Sequence, residues 1–114
     1  MLINDIKNVS SQEDRYISAI KSARAALGWT QPDLAKYSGV SLVTIARIEA
    51  GIISPRLSTL GKLKAAIEKA GARIADDHPV RGFTLTVSEE GTLEFARNFK
   101  GGKSVGKNSK VEEN

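Results

Sequence analysis

Trp29-Thr-Gln-Pro-Asp-Leu-Ala-Lys-Tyr-Ser-Gly-Val-Ser-Leu-Val-Thr-Ile-Ala-Arg-Ile-Glu-Ala-Gly51 is the stretch that decides the fold, because it predicts two short helices joined by a tight turn. Thr30 is suited to cap the first helix, with Asp33 in the position from which its carboxylate reaches back to the cap. Gly39 fits the turn, since glycine takes positive φ without steric penalty. Ser41 then caps the second helix, which runs to the end of the stretch.

Helical patterns flank this stretch on both sides. The preceding helix begins at a capping box, Ser10–Glu13, and has an apolar stripe of helical period made of Tyr16, Ile20, Ala23 and Leu27. Pro55 predicts a loop after Gly51, because it moves the residue before it away from helical angles. A fourth helix is predicted from Leu57 to Ala70, with an inward stripe of Leu60, Leu63, Ile67 and Ala70.

After Gly71 the periodicity changes from helical to alternating. Two runs alternate apolar with other residues, and their apolar members are Phe83, Leu85, Val87, Leu93 and Phe95. Because Ser88–Gly91 between the runs holds turn residues, the pattern predicts a β-hairpin, with a possible short third strand at Ala72–Ala75. Beyond Lys100 almost no apolar residue remains, which predicts disorder.

These patterns predict a mainly α-helical chain with four parts. They are an N-terminal arm at 1–14, a four-helix domain at 15–71, a hairpin at 72–99 and a disordered basic tail at 100–114. A chain of 114 residues suits one small domain of modest stability, which a partner subunit would increase.

Composition and charge restrict the classes of function. The chain has no cysteine, which excludes disulfides and thiolate chemistry, and no apolar run long enough to span a membrane, so we expect a cytosolic protein. Residues 15–73 have ten basic and three acidic side chains, a formal charge of +7 in a chain whose net charge is +4. Such a concentration of positive charge is typical of a polyanion-binding face.

The third predicted helix has an outward face suited to a DNA groove. At 100° per residue, Ile45 and Ile48 face inward, whereas Val43 and Arg47 lie on the opposite side among small residues. A slim helix fits the major groove, where valine can meet thymine methyl groups and arginine can meet guanine. A bland solvated face would instead be rich in lysine and glutamate.

The same residues resemble the phage-repressor (Cro/XRE-type) helix-turn-helix family. The resemblance rests on Thr30–Gly51, on Leu27-Gly-Trp before it and on Ser54-Pro-Arg-Leu-Ser-Thr-Leu60 after it, and it covers roughly residues 15–71. Glutamine, alanine, glycine, valine and the final Glu-x-Gly all have the family's spacing. The resemblance implies a lambda-repressor-like domain that binds double-stranded DNA.

The resemblance also implies roles for individual residues. Phosphate contacts fall to Thr30, Gln31, Ser41 and Arg56, and base-reading positions fall to Leu42, Val43, Thr44 and Arg47. Some members of the family have glutamines where this chain has Leu42 and Val43, so these two side chains should read thymine methyl groups and groove shape. Arg47 would then supply most of the hydrogen-bonded specificity.

Glu49 requires a partner, because the helical wheel turns its carboxylate toward the core. In the family a first-helix arginine, three residues before the Leu-Gly pair, fills this role. The corresponding residue here is Arg24. We therefore expect a structural ion pair between Arg24 and Glu49.

A twofold dimer is predicted because an isolated hairpin is marginal in water and one recognition helix reads few bases. The apolar hairpin residues need a cover, which either the fourth helix or a second subunit supplies. We favour two subunits that pair through the hairpin, with Phe83, Leu85, Val87, Leu93 and Phe95 at the interface. Dimers of this family span half-sites about 34 Å apart, so the operator should be an inverted repeat.

Three functions are compatible with these features. The leading one is a homodimeric, sequence-specific transcriptional regulator, most simply a repressor. An antitoxin that represses its own operon and also binds a toxin protein is the alternative, and a protein-docking module without DNA is a third. The tail lysines Lys100, Lys103, Lys107 and Lys110 could attract phosphates or only aid solubility.

No catalytic role is predicted. The sequence has no Gly-rich phosphate loop, no nucleophile with a base at a known spacing and no metal-ligand spacing, so no cofactor or metal is expected. The adjacent Glu89 and Glu90 do not converge as an acid/base pair would.

Overall fold

The computed structural model describes residues 12–77 and 82–103. Its elements, in chain order, are α1 (Gln12–Ala26), α2 (Gln31–Ser38), α3 (Leu42–Glu49), α4 (Leu57–Ala70), β1 (Ala72–Asp77), β2 (Gly82–Val87) and α5 (Glu89–Lys103). The four predicted helices and a two-stranded antiparallel hairpin are confirmed. The fifth helix was not predicted.

The α2–turn–α3 unit forms for the local reasons that the sequence indicates. The Thr30 hydroxyl accepts a hydrogen bond from the Asp33 N–H at 3.2 Å, and the Asp33 carboxylate accepts one from the Thr30 N–H at 2.8 Å. Gly39 ends α2 with φ of 79°, and the Ser41 hydroxyl accepts from the Thr44 N–H at 3.1 Å. Both helix starts therefore have a side-chain cap.

The core lies between the helices and one face of the hairpin. Its buried apolar side chains include Ile20, Ala23, Leu27, Leu34, Ile45, Ile48, Leu63 and Ile67. Three residues of the predicted stripes, Tyr16, Leu60 and Ala70, are only half-buried. The helical periodicity therefore located the core face correctly on α1, α3 and α4.

The hairpin pairs different segments from those predicted. Strand β1 runs antiparallel to β2, with Ala72 opposite Val87 and Ile74 opposite Leu85. Ala72–Ala75, predicted only as a possible third strand, belongs to the partner strand of β2. Phe83, Leu85 and Val87 form β2 as predicted and pack against the core of their own chain.

The prediction of a strand at Leu93 and Phe95 is wrong, because both residues lie in α5. Ser88 begins this helix: its hydroxyl accepts from the Gly91 N–H at 3.3 Å, and its carbonyl accepts from the Thr92 N–H at 3.0 Å. Acidic residues in the first turn favour a helix start through the helix dipole. Ser88–Gly91 is therefore a helix cap and not a hairpin turn.

Two predicted boundaries also change. The limit between the arm and the helical domain at residue 14 falls inside α1, which already includes Gln12. Residues 100–103, predicted to be disordered, belong to α5. The capping serines Ser10 and Ser11 and the tail residues 104–114 lie outside the described residues.

None of the helices in the described part of the chain is long and apolar enough to cross a membrane.

Candidate nucleic-acid interface

The outward face of α3 is open to solvent. Val43 is 58% exposed and Leu42 is 43% exposed, whereas Ile45 and Ile48 on the opposite side are buried. Arg47 is exposed and Thr44 is half-buried. Three of the four residues predicted to read bases, Leu42, Val43 and Arg47, are therefore accessible on a short helix in which Arg47 is the only basic residue.

The start of α2 lies close to the end of α3. Thr30 is exposed at the cap, while Gln31 is half-buried and donates from Nε2 to Glu49 Oε1 at 2.9 Å. One amide hydrogen of Gln31 is thus used inside the molecule, and the other hydrogen and the amide oxygen are left for an outside partner. At the N-terminal end of α2 the capping box occupies the N–H groups of Thr30 and Asp33, and Pro32 has no N–H, so the Gln31 N–H is the backbone donor of the first turn that the cap does not use.

The start of α4 lies beside α3. Arg56 is exposed at the cap position, and no side chain in the described part of the chain caps this helix. A shallow depression brings Arg56 and Thr44 together, lined also by Ile53, Ser54, Pro55 and Thr59. Uncapped N–H groups beside an arginine suit a phosphate oxygen.

Ser41 is already engaged within the molecule. Its hydroxyl donates to Thr44 Oγ1 at 2.8 Å in addition to capping α3. If this hydroxyl donated to a phosphate, it would lose its bond to Thr44 Oγ1. If instead the N–H groups in the first turn of α3 bound the phosphate, both hydrogen bonds between Ser41 and Thr44 would remain.

Arg24 and Glu49 form the pair expected from the sequence. Arg24 Nε donates to Glu49 Oε2 at 3.0 Å, and Nη2 donates to Oε1 at 2.9 Å. Arg24 Nη1 also donates to the Trp29 carbonyl at 2.9 Å. Because Gln31 donates to the same carboxylate, this network joins α1, α2 and α3.

A contact between α5 and the α1–α2 junction was missed by the sequence analysis. The Trp29 indole N–H donates to Glu94 Oε2 at 2.8 Å, and Asn98 Nδ2 donates to the Leu27 carbonyl at 2.9 Å. The indole hydrogen bond lowers the pKa of Glu94, as do Asn98 and Arg97 to a smaller extent, while partial burial opposes the shift. The four-residue spacing of Glu94 and Asn98 was the signal available in the sequence.

The five residues predicted to form a dimer interface do not lie together. Phe83, Leu85 and Val87 are half-buried against their own core. Leu93 is 53% exposed on α5, and Phe95 is exposed beside Phe99, with ring centroids 5.5 Å apart. The strand face is therefore already covered within one chain.

A metal site would require a cluster of acidic or histidine side chains. Residues 12–77 and 82–103 contain no group of three or more histidine, aspartate or glutamate side chains that could hold a metal ion. Glu89 and Glu90, considered above as an acid/base pair, are exposed in the first turn of α5.

Two short helices joined by a tight turn, the second with an exposed face, have the geometry of a DNA-binding helix-turn-helix unit. Residues 20–69 match the helix-turn-helix family model HTH_3. Residues 20–69 are therefore a helix-turn-helix DNA-binding domain of the Cro/C1 (XRE) type, which is typically non-catalytic and is consistent with a transcriptional regulator. Searches of curated proteins and of solved structures found no significant match to the chain.

Proposed function

We propose that this protein is a sequence-specific transcriptional regulator, most simply a repressor, that reads double-stranded DNA with α3 in the major groove. The observation that supports it best is the exposure of Val43 and Arg47 on one side of α3. The N-terminal ends of α2 and α4, with Gln31 and Arg56, supply groups for the phosphates on either side.

In this proposal the contacts divide into two kinds. Leu42, Val43 and Thr44 contact thymine methyl groups and the groove wall, and Arg47 donates to guanine O6 and N7. Thr30, Gln31, Ser41 and Arg56 bind phosphates and fix the position of α3 without reading sequence. The excess positive charge of residues 15–73 favours the approach to DNA.

Replacing Arg47 tests the role of α3. We expect Arg47→Ala to weaken binding to the preferred site by about 5- to 150-fold, which corresponds to a lost guanine pair of about 1–3 kcal/mol. The preferred site is first obtained by selection from a random duplex pool, and affinities are then measured by fluorescence anisotropy. The selection repeated with the variant should lose its preference at the guanine position.

Arg73→Ala is the matched control, because Arg73 is an exposed arginine on β1. Both variants lose one positive charge, so an equal loss of affinity would show a general charge effect and contradict base reading by Arg47. Failure of the full-length protein to bind any duplex at low salt would overturn the proposed function itself.

We also propose a homodimer, because two recognition helices are needed to read a site of useful length. Since β2 already packs on its own core, we place the interface at Leu57, which is 83% exposed. Leu57 stands at the edge of an apolar groove lined by Tyr16, Ile20, Leu60 and Ile74. A protruding leucine beside an apolar groove is self-complementary, as a twofold interface requires.

The dimer is tested by sedimentation velocity over a range of protein concentrations. We expect a dimer for the unchanged protein and a monomer for Leu57→Lys, because the new charge would have to be buried. Leu93→Lys is the control with a similarly exposed leucine on α5. Dissociation by the Leu93 variant alone would instead place the interface on α5, and a wild-type monomer at all concentrations would exclude the dimer.

A further inference from the structure

Strand β2 has an open edge. The Ser88 N–H donates to the Gly71 carbonyl at 2.8 Å, which makes these two residues a hydrogen-bonded pair at the end of the β1–β2 ladder. Such pairs alternate along an antiparallel ladder, so the N–H and C=O groups of Phe83, Leu85 and Val87 point away from β1. These outward groups have no backbone partner in the described part of the chain. Strand β2 therefore offers its hydrogen-bonding groups to another strand.

The sequence of β2 does not protect this edge. Exposed edge strands usually carry charged residues or proline, which prevent pairing with other chains. The strand Gly82–Val87 contains neither. Its three inward apolar side chains are only half-buried, whereas Ala72 and Ile74 on β1 are buried. Pairing with another strand would cover the apolar surface that the fold leaves open at β2.

Strand β2 is complementary to itself. Read from either end, Phe83-Thr-Leu-Thr-Val87 has the same order of apolar residues and threonines. Antiparallel pairing of two copies around Leu85 places Phe83 opposite Val87 of the second copy, and these are the residues whose backbone groups point outward. The threonines then face each other, with Thr84 opposite Thr86, a favourable cross-strand pair. The occupant that fits this edge is therefore a second copy of the same strand.

We propose that the β2 edges of two neighbouring dimers pair on DNA, so that the protein binds adjacent operators cooperatively. The inference rests on the proposed function and extends it. Strand β2 packs mainly on α1 and β1 mainly on α4, and in the described part of the chain neither strand has an extended contact with α3. The β2 edge is thus separate from the DNA-reading helix, and also from the interface proposed at Leu57 in α4.

The pairing is weak between free dimers. A stable interface has about 20–30 residues on each side, whereas β2 is a single short strand. Two dimers on neighbouring sites hold their β2 edges at a high effective concentration, and a weak contact then contributes to binding. We therefore expect no assembly larger than the dimer in sedimentation of the DNA-free protein, and cooperative binding to a duplex that contains two operators.

Cooperativity is measured by gel shift on duplexes with two copies of the selected site. The spacing between the sites is varied in steps of one base pair over about two helical turns, because the two dimers must face each other. At a favourable spacing we expect the wild type to bind the second site about 5- to 150-fold more tightly than a single isolated site. Independent binding at every spacing would overturn the proposal.

The double variant Thr84→Lys/Thr86→Lys tests the register. It places lysine opposite lysine across the paired edges, so we expect cooperativity to be lost. Thr84→Glu/Thr86→Lys is the matched control, because the same register then places glutamate opposite lysine at both positions, and cooperativity should be retained. In both variants the same lysine lies opposite Arg73 of its own chain, so repulsion at that point affects both proteins equally.

Loss of cooperativity in the double-lysine variant alone supports the proposal. Equal behaviour of the two variants, whether cooperative or not, would overturn the pairing of these strands. The added positive charge of the double-lysine variant increases attraction to DNA, so it does not explain a loss. A wild type that binds single sites without cooperativity leaves the proposed function standing. If the wild type binds no duplex at low salt, the proposed function fails as well.

Disulfide formation reports the register directly, because the chain has no cysteine of its own. In the proposed pairing Thr84 and Thr86 of the second copy form a non-hydrogen-bonded pair with Cα atoms about 4.5 Å apart, a distance that suits a disulfide. We expect Thr84→Cys/Thr86→Cys to cross-link chains on the two-site duplex and not on the one-site duplex. Thr84→Cys alone should not cross-link, because position 84 faces position 86. Absence of cross-linking on the two-site duplex, or equal cross-linking on both duplexes, would overturn the contact between dimers.

Discussion

Arg24→Ala is expected to lower the free energy of unfolding by about 3–5 kcal/mol, the range found when one partner of a buried ion pair is removed. The side chain of Glu49 is only 4% exposed, and its carboxylate accepts two hydrogen bonds from Arg24 and one from Gln31. The substitution leaves this carboxylate with Gln31 and also removes the donor to the Trp29 carbonyl. Thermal and urea unfolding followed by circular dichroism should show a fall in Tm of at least about 10 °C.

A double variant distinguishes destabilisation caused by an unpaired buried charge from destabilisation caused by loss of packing. Arg24→Met/Glu49→Leu removes both charges together, and apolar replacements of buried pairs are often neutral or stabilising. The double variant should therefore recover most of the lost stability, while Arg73→Ala on the exposed side of β1 should change the Tm little. An unchanged Tm for Arg24→Ala would show that the network does not hold α1, α2 and α3 together.

Local patterns predicted the helix-turn-helix unit well because α2 and α3 carry their own start and stop signals. The Thr30–Asp33 cap and the positive φ at Gly39 depend on residues within four positions of each other. The exposure of Val43 follows from the helical period alone. Such features need no knowledge of distant parts of the chain.

Contacts between distant residues were less accessible to sequence reasoning. That Glu49 faces inward followed from the helical wheel, but Arg24 came from the family resemblance, and Gln31 was assigned only an outward role. In the structure Gln31 also donates to Glu49. The amide of a glutamine has two N–H donors and an acceptor oxygen, so it can bond inside the protein and to an outside partner at the same time. A sequence pattern does not show which of these groups bonds to which partner.

The hairpin shows how an alternating pattern can mislead over a short length. Leu93, Glu94 and Phe95 fit a strand, but Phe95 and Phe99, like Glu94 and Asn98, fit a helix equally well. The choice depends on the true partner of β2, which is β1, whose Ala72 and Ile74 lie in the core. Strand pairing is not local, so the chain's own β1 was not identified as the partner.

Gly91→Ala is expected to destabilise the protein by about 1–3 kcal/mol, although alanine is the better helix former. A Cβ at this position would lie 2.5 Å from the Gly71 carbonyl oxygen and 2.7 Å from Val87 Cγ1. Since the nearest atom belongs to the backbone, α5 must shift away from the hairpin. The shift should also weaken the Trp29–Glu94 hydrogen bond, which α5 makes further along its length.

Urea unfolding and the fluorescence emission of Trp29 test this prediction, with one matched control. Trp29 is the only tryptophan, so displacement of α5 should move its fluorescence emission to longer wavelength at temperatures well below the Tm. The control is Gly82→Ala at the start of β2, where an added Cβ meets no atom within 4 Å and should stabilise the protein by up to about 1 kcal/mol. Stabilisation by both substitutions, with an unchanged emission of Trp29, would show that α5 does not pack closely on the domain.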